Sequence, residues 1–161
     1  MFRKLIDQYG LLPHPEGGYY KETYRSTEGI QPNGLPSRFN GPRNFSTAIF
    51  FLLLKESFSA FHRIASDECW HFYEGDSLAV HVIHTTGEYE LIRLGPDFSK
   101  GEVYQAVVPA GSWFASECLG KYSFVGCTVA PGFDFEDFEL AGKSLAAEFP
   151  QYEELILRLV R

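Results

Sequence analysis

His62 and Glu68 flank a short Ser- and Asp-containing turn in the stretch SAFHRIASDECWHFYEG, residues 59–75. Two chemistries use such a pair. A His titrates near neutral pH and can lift a proton from a carbon beside a carbonyl, while a carboxylate orients its ring. Both residue types also bind first-row metals, but a metal needs several N or O ligands converging on one point. With His71 as a third ligand and water, His62 and Glu68 would make an open divalent-metal site. The plain alternative is a buried His satisfied by one hydrogen bond. Around this pair stand further candidates. Trp70 offers a stacking face, Tyr20 and Tyr24 offer hydroxyls for proton donation, and Arg25, Arg38 and Arg43 offer charge for an anion. Ser112, Phe114 and Ser116 alternate within VVPAGSWFASE, residues 107–117. His14 and Glu16 lie in a Pro- and Gly-bounded segment that reads as a turn rather than a site.

Strands must position these groups. Segments near 45–54, 57–64, 68–74, 78–84, 88–94, 103–108, 112–118 and 122–129 are short and rich in apolar residues, and Gly, Pro, Asp or Ser separate them. No room is left for crossover helices, so the pattern predicts an all-β antiparallel sandwich or barrel. YYKETYRS adds a first strand, which sets the barrel at about 18–135. Phe2, Leu5, Ile6 and Tyr9 recur at near-helical spacing before Gly10, predicting an N-terminal helix over about 1–10. FELAGKSLAAEF and PQYEELILRLVR predict two short helices over about 138–160, the second opened by Pro150. Residues 29–44 are rich in Gly, Pro and Asn and read as a long loop. The whole chain, 1–161, reads as one domain.

Alternation along strands assigns faces. With His62 inside, Phe58, Ala60 and Ile64 share its face. Glu68 faces inward with Trp70 and Phe72, while His71 points away unless a bulge shifts the register. Ser112, Phe114 and Ser116 line the cavity and Trp113 points away. Tyr20, Glu22 and Tyr24 share one face of the first strand; Lys21, Thr23 and Arg25 share the other. The segment APGFDFEDF reads as Phe side chains pinning chain over the barrel end. His81 and His84 carry no assigned role.

The bulk properties bound the function. With 45% hydrophobic residues, 15 Phe and 9 Tyr, the 161-residue chain can bury a β-rich core. A net charge of −7 argues against nucleic acid as the main partner. No apolar run reaches the roughly 18 residues of a membrane span, and the start lacks the features of a signal peptide. Cys69, Cys118 and Cys127 form no zinc pattern and read as reduced thiols, so the expected setting is cytoplasmic.

Four stretches, HPEGGYYKETYRS, SAFHRIASDECWHFYEGD, VVPAGSWFASE and GCTVAPGFDFEDFELA, resemble a small single-domain branch of the cupin superfamily, the cupin-5-type proteins. His62, Glu68 and Gly75 match the first cupin motif; Pro109 and Gly111 match the turn of the second. The resemblance implies a double-stranded β-helix, or jelly roll, paired as a homodimer. Metal-holding cupins use three His and one Glu. Here Ile64 and Phe114 stand at two of the His positions, so no cofactor is expected. The expectation that follows is a metal-independent epimerase or isomerase of a phosphorylated or nucleotide-linked sugar, with His62 as base. The alternatives are a non-catalytic binder of a nucleotide diphosphate or similar anion, and a metal-dependent oxygenase or isomerase.

Overall fold

The computed structural model describes residues 1–161. In chain order the elements are α1 (Phe2–Tyr9), β1 (Leu12–Pro13), β2 (Tyr19–Arg25), β3 (Gly29–Ile30), β4 (Arg43–Asn44), β5 (Thr47–Leu54), β6 (Phe58–Arg63), β7 (Asp67–Gly75), β8 (Leu78–Ile83) and β9 (Tyr89–Leu94). They continue with β10 (Gln105–Val108), β11 (Trp113–Cys118), β12 (Tyr122–Ala130), β13 (Glu139–Leu140), α2 (Leu145–Glu148) and α3 (Glu153–Arg158). One sheet runs β1-β2-β5-β12-β7-β10 and the facing sheet runs β13-β6-β11-β8-β9. Every strand pairing within them is antiparallel, as in a jelly roll.

The main core lies between the sheets, where Phe51, Trp70, Val80, Phe114 and Val125 meet. A second core forms on the outer face of the β6–β11–β8 sheet. There Phe61, Ile83, Trp113 and Ala115 pack under Leu145, Ile156 and Leu159 of the last two helices. Alternation dictates this division, since inward and outward side chains of one strand serve different cores. At the other end of the molecule Phe2, Leu5 and Ile6 of α1 cover Leu52 and Phe124. Gly10 ends that helix in the left-handed conformation at φ 61. No helix is long and apolar enough to cross a membrane.

Two expectations change. The first C-terminal helix is shorter than 138–149, because Glu139 and Leu140 instead pair with Arg63 and His62 of β6. Sheet hydrogen bonds complete an otherwise open edge there, and Gly142 separates strand from helix. The long loop is also partly ordered as sheet, with Gly29 and Ile30 of β3 paired to Asn44 and Arg43 of β4.

Candidate functional site

One cavity of about 290 Å³ opens at the barrel end, lined by residues that include His14, Glu16, Tyr20, His62, Glu68 and Phe138. Glu16, taken from sequence as part of a turn, is buried at its base with 7% exposure. The turn is present, closed by the Gly17 N–H donating to the His14 carbonyl at 3.0 Å. Its backbone dives into the barrel because Gly17 and Gly18 adopt φ 111 and 78. A Cβ on Gly17 would stand 2.0 Å from the Phe58 carbonyl oxygen, so the approach to β6 requires glycine.

The dive closes a ring of hydrogen bonds. The Ala60 N–H donates to the Glu16 carbonyl at 2.8 Å. The Ala60 carbonyl accepts from His62 Nδ1 at 2.7 Å. His62 Nε2 meets Glu16 Oε2 at 2.9 Å. A carbonyl accepts only, so Nδ1 carries a proton, and the second nitrogen faces a carboxylate. Burial alone would lower the His62 pKa, but the Glu16 charge and hydrogen bond, with Glu68 adding, hold it above 6.5. Burial would likewise raise Glu16, yet the His62 charge and hydrogen bond bring it below 4.5. The pair is therefore an imidazolium–carboxylate pair, largely buried at the cavity wall.

Glu68 lies beside this pair at the start of β7, 8% exposed. It is matched to no cation of its own. The side chain near its carboxyl is the buried Cys127 thiol, a weak donor. Burial pushes Glu68 up to about 7, against the opposing charge of His62. One cavity thus holds an ionised carboxylate and a carboxyl poised near neutrality.

The mouth is built by a bulge and a strap. On β2, Glu22 pairs with Ile49 while Tyr24 pairs with Ala48, leaving Thr23 as the extra residue. Parity reverses there. Tyr20 and Glu22 line the cavity and Arg25, expected on the opposite face, joins them, whereas Tyr24, expected with Tyr20 and Glu22, points outward and is exposed. Arg25 donates to both Glu22 carboxylate oxygens at 2.9 Å and to Asn44 Oδ1 at 2.8 Å. Opposite, Phe133, Phe135 and Phe138 turn their side chains to the cavity. Their segment is fastened by Arg43, which donates to Asp137 at 2.8 and 2.7 Å, and by the Phe133 N–H on Thr47 at 3.0 Å.

Several sequence candidates stand elsewhere. Arg43 is buried and committed to Asp137, and Arg38 donates to the Ala65 carbonyl at 2.6 Å. Neither lines the cavity, because the loop needs both to hold itself down. Trp70 and Phe114 belong to the main core beneath it. Phe114 still supports the site, its ring centroid 4.1 Å from that of His62. Ser112 and Ser116 are buried outside the lining. His71 lies on the outer face, bonded to Thr128 at 2.9 Å and to Gln105 at 2.9 Å. The β7–β12 bulge falls beyond it, between Phe124 and Val125, and so does not turn it inward. An irregularity in the β6–β11 pairing, between Phe114 and Ser116, takes Phe58 off the expected face of β6, while Ile64 stays with His62 at the cavity. Phe58 goes outward to the helical core and Ser59 pairs with Ser116. The signal that could have revealed Glu16 was its place before a Gly-Gly pair able to bury a loop.

Ile64 and Phe114 stand at two of the usual cupin ligand positions, and the side chains that remain do not fit a metal. Both ring nitrogens of His62 are already engaged, so neither offers a lone pair to the cavity. No group of three or more His, Cys, Asp or Glu side chains converges in a ligating arrangement.

Comparisons with known proteins agree with this architecture. A family model described as "Cupin superfamily (DUF985)" matches residues 3–141. The uncharacterized protein YML079W of Saccharomyces cerevisiae is 34% identical over 146 residues, covering 84% of this chain and 72% of its own. A hypothetical protein from Leishmania major superposes with a TM-score of 0.89 at 34% identity, covering 98% of this chain and 97% of its own. Protein SO0799 from Shewanella oneidensis gives 0.88 at 38% identity, covering 98% and 96%. Oxalate decarboxylase from Bacillus subtilis gives 0.56 at 17% identity, covering 91% of this chain and 36% of its own, a likeness of fold alone.

Proposed function

Because the chain belongs to the cupin superfamily, in the family described as DUF985, we propose that its barrel is a metal-independent acid–base enzyme of the isomerase or epimerase type. The carrying observation is Glu68, a buried carboxyl without a cationic partner that lines the cavity beside the His62–Glu16 pair. In this reading Glu68, rather than His62, exchanges the proton, since neither ring nitrogen of His62 is free. As a carboxylate it takes a proton from the carbon beside a substrate carbonyl. The electron pair of that C–H bond moves to the carbonyl oxygen as an enolate. Glu68, now an acid, returns a proton to carbon. The fixed imidazolium of His62 favours the charged states of that cycle.

The substrate proposed is a sugar carried on a phosphate or nucleotide. A cavity of about 290 Å³ is at the small end of ligand pockets and holds the sugar portion. Lys21 at the lining supplies positive charge for a phosphate, and Arg25 would reach one by exchanging Glu22 for it. Tyr20 supplies a phenol for proton donation. A homodimer is part of the proposal, because a row of outward residues across one sheet is left uncovered.

Incubation in D₂O with a panel of sugar phosphates and nucleotide sugars tests the reading. One class should gain deuterium at the carbon beside its carbonyl, and Glu68→Gln should slow that at least about 100-fold. Thermal stabilisation by a panel member without exchange would replace the enzyme with a binding protein.

A further inference from the structure

His14 is the cavity imidazole whose outer nitrogen is left for a ligand. The Glu16 N–H donates to His14 Nδ1 at 3.2 Å. A ring nitrogen that accepts carries no proton, so in the neutral ring the proton sits on Nε2. The side chain is 8% exposed. Burial first, and the charge of His62 as well, lower its pKa against the pull of Glu16. The ring is held edge-on to Tyr20, at 4.6 Å and 81°, and to Phe51, at 6.2 Å and 90°. Its one side-chain hydrogen bond is the one at Nδ1. The donor is thus oriented through Nδ1 and without a protein partner, on a side chain in the lining of the cavity that holds Glu68.

We infer that His14, through its Nε2–H, hydrogen-bonds the carbonyl oxygen of the substrate and stabilises the oxyanion formed when Glu68 removes the neighbouring proton. This rests on the isomerase reading above. The two groups come from separate elements, the turn before β2 and the start of β7, and line one small cavity. A neutral donor suits the task, because it stabilises negative charge without surrendering its proton to Glu68 between steps. Glu16 then has two duties. Its side chain charges His62, and its amide sets the tautomer of His14.

Long-range ¹⁵N–¹H NMR of the protein labelled in its His rings, with His14 assigned by loss of its signals in His14→Gln, tests the donor directly. The expected state at pH 7 is Nε2–H with a bare Nδ1. With a panel member that exchanges deuterium, His14→Phe should lower kcat about 10²- to 10³-fold with KM nearly unchanged. His14→Gln, which keeps an N–H donor, should recover part of the rate. An Nδ1–H tautomer, a cationic ring at pH 7, or full-rate exchange in a folded His14→Phe protein overturns the donor role alone. A wild-type protein that exchanges no member of the panel overturns the isomerase reading and the donor role together.

Discussion

Glu16 and Glu68 are the same residue type in one cavity, and their neighbours drive them apart. Glu16 meets His62 at 2.9 Å and is held below 4.5, whereas Glu68, with burial dominant, rises to about 7. The sign for stability follows from which state holds the proton more tightly. Folded Glu68 keeps its proton above the ordinary value of 4.5, so its ionisation opposes folding as pH climbs from 4.5 to about 7. The penalty at pH 8 is on the order of 3 kcal/mol. Glu68→Gln should therefore melt higher than wild type at pH 8 and close to it at pH 4.5, as measured by thermal unfolding. Equal melting differences at both pH values would show that Glu68 ionises without cost. His62 and Glu68 were legible in the sequence as paired candidates. Their partner Glu16 was not, because alternation assigns faces only within strands and Glu16 sits in a turn.

The strands themselves were readable from their punctuation, and β5 through β12 fall where the apolar runs lie. The bulges were not. One inserted residue leaves no mark in composition, yet Thr23 decides that Arg25 rather than Tyr24 reaches the cavity. Side chains upstream of such a point obey simple parity and those downstream obey its inverse. The HPEGG turn carries the same lesson through backbone angles. At Gly17 a methyl would press on the Phe58 carbonyl and on Arg161 Nη2, 2.5 Å away, at a φ that side chains avoid. Gly17→Ala should cost at least about 2 kcal/mol, from strain plus lost contact. It should also release Glu16 from His62. Chemical denaturation checks the first effect, and the His62 ring signals in NMR check the second, which should shift to a lower pKa.

Across the whole molecule, helices cover one sheet face and α1 covers part of the other. On that second face a row runs Tyr24–Ala48–Thr128–Cys69–Val107 across four strand pairings with nothing over it. Tyr24 and Val107 at its ends are 55% and 51% exposed. Apolar rows of this kind mark association sites. Sedimentation should give twice the chain mass, and Val107→Lys with Tyr24→Lys should return the monomer. The edge of β6 has a different consequence. Glu16 bonds it at Ala60, Leu159 at Phe61 and Leu140 opposite His62, so partners from three distant parts of the chain complete the strand that carries the imidazolium. On the ribosome, a nascent chain halted before residue 159 still lacks one of them. The end of the barrel that holds the cavity is thus completed only once the chain through residue 159 is available.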